Sequence, residues 1–427
     1  MALTARTGLL SLLGVLVVGL LLPSWLGVLL VGAVLFAGVS VDLALAGGVR
    51  QLVFARSGAT SVRLGEPCKV VLAVANPGDR RVRAVLRDAW PPSAGVPVDR
   101  HRIDVPPGAR RNVVTLLKPT RRGDREAASV AVRSFGPLGL AARQGSHKVP
   151  WTVRVLPPFH SRRHLPARLA RLRELDGRSA VRVRGQGTEF DSLREYVLGD
   201  DVRSIDWRAT ARASDVMVRT WRPERDRHIV LVLDTGRTSA GRVGDAPRLD
   251  ALLDAALLLA ALASRAGDRV DLLAYDTALR TAVTAGSLPS LVNAMAPLEP
   301  ALVELDAHGM LAEVLRRTRR RSLVVLLTGL DPAPLEAGLL PVLPLLTSRH
   351  RLLIAGVTDP AVFSMSHARG STDSVYAAAA AARSLAERAH ISALLTRQGV
   401  DVIDATPANL PPALADRYLA LKAAGKL

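Results

Sequence analysis

The stretch His228-Ile-Val-Leu-Val-Leu-Asp234 is a continuous apolar run that ends on a carboxylate, a pattern typical of a β-strand buried on both faces. Similar apolar runs follow it, and helical patterns such as the Ala/Leu-rich residues 249–266 separate most of them. This alternation predicts a largely parallel sheet that is covered by helices on both faces. The predicted strands are 228–234, 270–275, 279–283 as an antiparallel partner, 323–328, 351–357 and 400–403, and the predicted helices are 249–266, 310–319, 335–347, 375–397 and 411–424.

Two loops that follow predicted strands carry candidate functional groups. The first is Asp234-Thr-Gly-Arg-Thr238 and the second is Thr328-Gly-Leu-Asp331. Ligands of open α/β sheets bind at the carboxyl ends of the strands, and a hard cation prefers oxygen ligands. The residues therefore leave two interpretations open. Asp234 and Asp331 hold a cation, or Asp234 caps its own loop.

The N-terminal residues 7–41 carry no charged side chain and are mostly apolar. The stretch is longer than the roughly 20 residues that one straight helix needs to cross a bilayer, and Pro23 interrupts it near its middle. We therefore expect a transmembrane helical hairpin within residues 1–47. Its two short spans are 9–22 and 25–41, with Trp25 at the far interface.

The charges that flank this hairpin predict its orientation. The turn is uncharged, and the outer ends are flanked by arginines, so the positive-inside bias places both ends, and the soluble domains, on the cytoplasmic side of the inner (plasma) membrane. A single kinked span and a cleaved signal peptide are the alternatives. The flanking arginines are Arg6, Arg50, Arg56 and Arg63.

Residues 48–157 change to short alternating runs that are divided by Pro and Gly. Lys69-Val-Val-Leu-Ala-Val-Ala-Asn76 is one such run, and Pro77-Gly78 ends it. A period of two with turn residues between the runs predicts an all-β sandwich domain. Cys68 is expected to be a small packing residue rather than a nucleophile. The expected inner-face residues include Val70, Leu72, Val74 and Val113.

The composition limits the classes of partner. The 427 residues include 57 Lys and Arg against 38 Asp and Glu, a net charge of +19, which favours an anionic surface such as phospholipid or nucleic acid. A single cysteine excludes an internal disulfide framework. Few aromatic residues lie among the basic stretches 162–173 and 316–321, which weakens base stacking as a mechanism. No specific nucleic acid is therefore expected.

Residues 158–227 combine a basic linker with a dense alternation of arginines and carboxylates. Gly185-Gln-Gly-Thr-Glu-Phe190 comes first, Leu193-Arg-Glu-Tyr196 follows, and Gly199-Asp-Asp-Val-Arg-Ser-Ile-Asp-Trp207 is the longest run. Interleaved charges of this density predict a network of ion pairs that satisfy one another. We therefore favour a structural or interaction role over catalysis for the segment.

This segment closely resembles the signature of the domain of unknown function 58 family. The resemblance implies that family's organisation: a transmembrane hairpin at 1–47, a β-sandwich domain at 48–157, the linker and signature at 158–227, and a von Willebrand factor A-like α/β domain with a C-terminal helix at 228–427. The residues that carry the signature are Arg184, Gly185, Gly187, Glu189, Phe190, Leu193, Arg194, Tyr196, Gly199, Asp200, Asp201, Arg203, Ile205, Asp206, Trp207, Arg219, Pro223, Glu224 and Arg225.

The loops after the strands resemble the metal-ion-dependent adhesion site of von Willebrand factor A domains. Asp234 matches the first position of that site's Asp-x-Ser-x-Ser loop and Thr238 the last, while Asp331 matches its further aspartate. Gly236 stands where the middle serine would be and has no hydroxyl to offer. The resemblance therefore implies a degenerate site, with Mg²⁺ as its cofactor.

The family resemblance also implies a partner, because members are often encoded beside MoxR-type AAA+ ATPases. We expect a membrane-anchored, non-enzymatic interaction or adaptor protein that works with such an ATPase. One alternative is a metal-assisted hydrolase that uses Asp234 and Asp331. The other is a basic protein that binds nucleic acid or a lipid surface.

Overall fold

The computed structural model describes residues 2–21, 23–182, 189–198, 200–213, 215–222 and 227–425. The chain forms two compact units, Met1–Leu156 and Pro157–Leu427, here called the N-terminal and C-terminal units. The first contains both the predicted hairpin, 1–47, and the predicted β domain. The second contains the linker and signature together with the α/β sheet.

Two apolar helices begin the N-terminal unit. They are α1, Ala5–Leu21, and α2, Trp25–Leu45, and the Ser24 hydroxyl caps α2 by accepting a hydrogen bond from the Gly27 main-chain N–H. At 21 residues, α2 is long and apolar enough to cross a membrane, whereas α1 has 17 residues. Within the described residues, α2 is the one helix that meets both criteria.

Two sheets pack against each other in the N-terminal unit, and their strand pairs are antiparallel except for β3 with β9, which is parallel. One has the order β1-β9-β8-β5-β6 with β3 beside β9, and the other has the order β2-β4-β7. Alternate residues of both, such as Leu72, Leu86 and Val132, form one shared core because successive side chains of a strand point to opposite faces. The strands are β1 Ala2–Leu3, β2 Val53–Gly58, β3 Ser61–Arg63, β4 Cys68–Ala75, β5 Val82–Ala89, β6 Arg100–Val105, β7 Arg110–Leu117, β8 Gly123–Phe135 and β9 Ala141–Leu156.

The C-terminal unit begins with α3, Leu165–Arg182, and continues into a two-stranded antiparallel ribbon. The ribbon consists of β10, Glu189–Glu195, and β11, Met217–Arg222, with the short helix α4, Trp207–Thr210, in the connection between them. The signature lies mainly on this ribbon and in its connection.

A six-stranded sheet dominates the C-terminal unit. Its order is β16-β15-β12-β17-β18-β19, and every neighbouring pair is parallel except β15 with β16. The predicted strands are all present, including the antiparallel partner. The strands are β12 His228–Asp234, β15 Arg269–Tyr275, β16 Leu279–Val283, β17 Leu323–Leu327, β18 Arg351–Val357 and β19 Asp401–Ala405, and Arg242–Val243 and Ala246–Pro247 form the small hairpin β13-β14.

Helices cover both faces of this sheet. Val230 and Val232 of β12 pack on one side with residues of α8 and α12, while α6 contacts β12, β15 and β18. The α6 sequence is mostly Ala and Leu because most of the helix is buried. The helices are α5 Arg237–Ala240, α6 Arg248–Arg265, α7 Leu288–Met295, α8 Ala307–Arg317, α9 Pro332–Pro334, α10 Leu343–Thr347, α11 Pro360–Ser366, α12 Thr372–Arg397 and α13 Leu410–Ala423.

One predicted helix is wrong. Residues 335–347 form a π-helical turn over Leu335–Leu339 and the short α10 instead of one continuous helix. Pro341 lies between the two pieces, and proline lacks the main-chain N–H that a continuous helix requires. The break shapes the loop region beside the carboxyl end of β17.

Candidate functional site

Two side chains meet where the neighbouring strands β12 and β17 end. Asp234 closes β12 and Thr328 directly follows β17, so the parallel pairing of the strands brings them to the same edge of the sheet. The Oδ2 atom of Asp234 accepts hydrogen bonds from the hydroxyls of Thr328 and Thr238, each at 2.5 Å. Its Oδ1 atom accepts the Gly236 N–H at 2.7 Å. Asp234 therefore caps its own loop and also links that loop to the adjacent strand.

This carboxyl group is buried, with 1% of its residue surface exposed. Burial raises the pKa of Asp234 above its usual value, and the nearby charge of Asp276 acts in the same direction. The hydrogen bonds from Thr238, Thr328 and Gly236 favour the ionised form and lower the pKa by a smaller amount. The net result is a carboxyl group that holds its proton more strongly than an exposed aspartate does.

An arginine lies between the two loops. Arg248, the first residue of α6, donates from Nη1 to Oδ2 of Asp331 at 2.7 Å and to the main-chain carbonyl of Thr238 at 3.2 Å. A Cβ atom added at Gly241 would lie 3.2 Å from Nε of Arg248, and one added at Gly329 would lie 3.1 Å from Nη1. The two glycines therefore leave the space that the guanidinium fills. This role of Arg248 could not be predicted from the sequence pattern, in which Arg248 merely precedes an Ala/Leu-rich helix.

Asp331 does not join the hydroxyl cluster around Asp234. Besides Arg248, its nearest cation is Arg388 of α12, whose Nη1 lies 3.5 Å from Oδ1 of Asp331. Arg388 in turn pairs with Asp404 of β19 at 2.7 Å. Asp331 thus belongs to an ion-pair chain that connects α6, α12 and β19.

These contacts test the predicted cation site. A divalent cation bound by Asp234, Thr238 and Asp331 would have to share the space between the loops with the positive charge of Arg248. Gly236 offers no side-chain oxygen, and both hydroxyls donate to Asp234. Among the described residues there is no group of three or more His, Cys, Asp or Glu side chains that could hold a metal ion. The donor set as arranged does not fit Mg²⁺.

A cleft of about 750 Å³ opens above these loops. Its lining includes Asp234, Arg248 and Asp331 among apolar residues of the α9 region. Arg237 and Glu304 also line it and pair with each other at 3.0 Å, and both are largely exposed. The carboxyl-end cleft, as we call it, therefore has paired charges and apolar surface, a combination that suits binding more than proton transfer.

The signature segment forms ion pairs of the predicted kind. Arg194 of β10 pairs with Asp200 at 2.6 Å, and Asp206 pairs with Arg219 of β11 at 2.7 Å. Asp206 also caps α4 by accepting the N–H groups of Arg208 and Ala209. The main-chain hydrogen bond from Ala209 and the side-chain bond from Arg219 lower the pKa of Asp206.

Residues 196–207, the first part of the connection between the ribbon strands, are here called the signature loop. Its two ends are fixed by the pairs just described, one to each strand of the ribbon. Several of its apolar side chains are nevertheless exposed. They are Val197 at 60%, Leu198 at 96%, Val202 at 64% and Trp207 at 68%.

The remaining signature residues are placed as follows. Glu189 and Phe190 begin β10, and Leu193 lies in the same strand. Asp201 accepts the main-chain N–H of Arg203 at 2.9 Å. Ile205 forms a β-bridge with Val218 of β11. Tyr196 donates its main-chain N–H to the carbonyl of Val216. Arg184, Gly185, Gly187, Gly199, Pro223, Glu224 and Arg225 lie outside the described residues.

Comparison with known families supports the assignment suggested by the signature. The family described as "Protein of unknown function DUF58" matches residues 192–368. The chain carries a DUF58 domain. The match begins in β10 and ends after α11, so the DUF58 region contains the signature loop, both loops of the carboxyl-end cleft and the strands β12, β15, β16, β17 and β18.

Two curated relatives are similar to the DUF58-bearing chain. They are the uncharacterized proteins Mb1516 of Mycobacterium bovis and Rv1480 of Mycobacterium tuberculosis, each 29% identical over 189 residues. The alignment covers 42% of this chain and spans 57% of the length of either relative.

Two of the solved structures that are similar to part of this chain have low TM-scores. The CARDB domain of the PF1109 protein from Pyrococcus furiosus is 14% identical with a TM-score of 0.19, over 24% of this chain and 86% of that one. The α2-macroglobulin of Escherichia coli, from domain MG7 to the C-terminus, is 13% identical with a TM-score of 0.22, over 26% and 17%.

Proposed function

We propose that this chain is a membrane-anchored, non-enzymatic adaptor whose signature loop binds a MoxR-type AAA+ ATPase at the inner (plasma) membrane. In this proposal the sheet of the C-terminal unit is a von Willebrand factor A-like fold with a degenerate adhesion site. The order β16-β15-β12-β17-β18-β19, with Asp234 at the end of the central strand β12, supports that fold.

The observation that carries the proposal is the exposure of apolar side chains on a fixed loop. Trp207 and Leu198 expose 68% and 96% of their surfaces, and in this proposal the partner covers these apolar side chains. The pairs Arg194–Asp200 and Asp206–Arg219 hold the loop against both strands of its ribbon. A loop that is already ordered loses less conformational entropy on binding, which favours affinity.

The contacts in the carboxyl-end cleft support a non-enzymatic role. A metal-assisted hydrolase would need Asp234 and Asp331 to hold a cation and its activated water. Asp234 accepts three hydrogen bonds from its own surroundings, and Asp331 is paired with Arg248. These acids are thus used to fix the loops of the cleft.

The helix α2 supports the membrane anchor. Its 21 residues span about 31 Å at 1.5 Å per residue, close to the ~30 Å hydrocarbon thickness of a bilayer. Most of its large apolar side chains are exposed, Trp25 at 84% and Phe36 at 75% among them. With α1 it forms the proposed hairpin, whose two ends and attached units lie on the cytoplasmic side.

The proposal is tested by co-purification of the full-length chain with the ATPase encoded beside it. Trp207→Ala should reduce the recovered ATPase at least tenfold, because a buried tryptophan at an interface is commonly a dominant contact. Tyr376→Ala is the matched control, since Tyr376 on α12 is an aromatic residue of similar exposure, 73%. It should leave recovery unchanged.

The other outcomes count against the proposal in different ways. If no MoxR-type ATPase is enriched with the wild-type chain, the partnership is wrong. If Trp207→Ala and Tyr376→Ala give equal recovery, the signature loop is not the contact. Hydrolysis of a phosphate ester or peptide by the purified chain that is lost in Asp331→Asn would contradict the non-enzymatic role.

A further inference from the structure

The helical hairpin meets the β-sandwich at one well-defined end. Because α1 and α2 are antiparallel neighbours, the start of α1 and the end of α2 lie together. Asp42, in the last turn of α2 and fully buried, accepts the main-chain N–H groups of Leu138, Leu140 and Ala141 at 2.7 to 2.8 Å. The turn between β8 and β9 is thereby fixed to the base of the hairpin.

Three exposed arginines surround this base, and we call them the arginine collar: Arg6, Arg80 and Arg143. Arg143 donates from Nε to the carbonyl of Leu43 at 3.0 Å, and Arg80 donates to the carbonyl of Ala44. Arg6 donates to the carbonyl of Leu138 at 3.4 Å. The main chain thus holds the three guanidinium groups beside the end of α2.

The collar carries uncompensated positive charge. Within the part of the chain that the structure describes, none of the three arginines forms an ion pair with a carboxylate. Asp42 lies at the base of the hairpin, but it is buried and accepts hydrogen bonds from three main-chain N–H groups of the adjoining turn. A guanidinium has five N–H donors, so the single main-chain contact of each collar arginine leaves most of its donors free.

The position of the collar matches the depth of lipid phosphate groups. Leu43 and Ala44 lie in the last turn of α2, about 28 Å along the helix axis from Trp25. If α2 crosses the hydrocarbon layer, its last turn emerges among the headgroups. The apolar Leu138, half exposed in the adjoining turn, lies at the same level as the collar. Apolar and cationic groups together at the end of a span are typical of contact with a membrane surface.

We propose that the arginine collar is a binding site for the phosphate of an anionic phospholipid in the membrane that holds α2. The inference rests on the proposed membrane anchor and adds a lipid class to it. Arginine forms bidentate hydrogen bonds with phosphate oxygens, and three arginines held by the main chain can contact one or two adjacent headgroups. The zwitterionic lipid phosphatidylcholine carries no net charge to match the collar.

The test uses full-length protein in nanodiscs that contain equal parts of phosphatidylglycerol and phosphatidylcholine. After extraction in mild detergent, mass spectrometry measures the ratio of the two lipids that stay bound. Wild-type protein should be enriched in phosphatidylglycerol. Arg6→Gln, Arg80→Gln and Arg143→Gln combined should reduce that enrichment by about 100-fold, since each basic residue near an anionic surface contributes roughly a factor of five.

The matched control removes the same charge elsewhere in the N-terminal unit. The control variant combines three substitutions of exposed residues, Arg100→Gln, Lys118→Gln and Arg121→Gln. Arg100 begins β6, which lies at the opposite edge of the sheet from β1. Lys118 and Arg121 precede β8, and it is the other end of β8 that meets the hairpin. This variant should keep the wild-type lipid ratio. Replacing the three collar residues by lysine, which retains the charge, should lower the ratio only a few-fold.

The possible outcomes distinguish a failure of the lipid-binding collar from a failure of the membrane anchor. Wild-type protein that enters nanodiscs without preference for phosphatidylglycerol overturns the collar and leaves the anchor standing. An unchanged ratio in the collar glutamine variant, shown by circular dichroism to be folded, overturns it as well. Failure of the wild-type chain to enter nanodiscs overturns the anchor. Displacement of phosphatidylglycerol by inorganic phosphate would show instead that the arginines bind free phosphate.

Discussion

At the scale of single residues, the protonation of Asp234 makes a testable contribution to stability. Its pKa is raised in the folded protein, so the folded state binds the proton more tightly than the unfolded chain does. Its contribution is therefore most favourable below the unfolded pKa of about 3.9 and is lost as the pH rises through the folded pKa, at up to about 1.4 kcal/mol per pH unit. Asp234→Asn removes the titrating group.

This variant should become more stable relative to wild type as the pH is raised from 4 towards 7. Asparagine keeps an oxygen that can accept from Thr328 or Gly236, so the site stays polar and filled. Urea unfolding at a series of pH values, followed by fluorescence, measures the difference. A free-energy difference that does not change with pH would show that Asp234 titrates alike in the folded and unfolded states.

A second residue-scale prediction concerns metal binding. Because the Arg248 guanidinium already contacts both Asp331 and the loop of Asp234, we expect wild-type protein to show no saturable binding of Mg²⁺ or Mn²⁺. Isothermal titration with each metal tests this. A saturable site that is lost in Asp234→Ala but kept in Asp373→Ala, an exposed acidic residue in the first turn of α12, would contradict it.

At the scale of elements, Asp206 fixes the short helix α4 to the ribbon. It accepts the N–H groups of Arg208 and Ala209 and pairs with Arg219 of β11. Asp206→Ala should therefore speed amide hydrogen exchange across residues 207–211. Asp201→Ala is the control, since Asp201 caps only the 3₁₀ turn Val202–Ser204, which precedes α4, by accepting the Arg203 N–H. Faster exchange confined to residues 202–204 in both variants would show that Asp206 is not the cap that orders α4.

The stabilisation of α4 by Asp206 should be lost at low pH. The pKa of Asp206 is lowered in the folded protein, chiefly by the main-chain N–H of Ala209 and then by Arg219. The stabilisation of α4 by Asp206 is therefore present above the unfolded pKa of about 3.9 and is lost as the pH falls through the lower folded pKa. Hydrogen exchange at residues 207–211 should rise more steeply towards low pH in wild type than in Asp206→Asn, after correction for intrinsic rates.

The cleft rim provides a further prediction at this scale. Arg237 and Glu304 pair across its edge, and double substitution to alanine should cost less than about 1 kcal/mol of stability, as is usual for exposed pairs. If a partner uses the cleft, this variant should bind the proposed ATPase less well than Arg383→Ala with Glu387→Ala, an exposed pair on α12 with a similar N···O distance. Equal binding would restrict the contact to the signature loop.

The elements also show why sequence reasoning succeeds in some places and not in others. The parallel strands were predictable because burial on both faces demands continuous apolar runs, as in β12 and β18. The helix predicted at 335–347 failed because its apolar periodicity hid the effect of Pro341. Thr328 could be placed near Asp234 from strand ends alone. The role of Arg248 depends on a contact with a residue 83 positions away, which no local pattern contains.

At the scale of the whole molecule, the net charge of +19 includes arginines that pair with carboxylates and arginines that do not. Many arginines pair locally, as Arg194 does with Asp200 and Arg388 with Asp404, so they do not define an anionic partner. The collar arginines differ because they lack such partners within the described residues and lie at the end of an apolar helix. In the proposed lipid contact, the charge that acts is therefore a small and specifically placed part of the total.

The division into two compact units leads to the last prediction, which concerns Asp42. Asp42→Ala leaves the N–H groups of Leu138, Leu140 and Ala141 without their acceptor in a buried place. Each unsatisfied buried donor costs about 1–3 kcal/mol, so the N-terminal unit should lose several kcal/mol of stability. Because each unit has its own core, the C-terminal unit should be little affected.

Hydrogen exchange of the detergent-solubilised chain should quicken at residues 136–142 and stay unchanged in β12. Ser57→Ala, at an exposed site on β2, should alter neither region, and equal acceleration in β12 and at residues 136–142 would mean that the two units unfold as one.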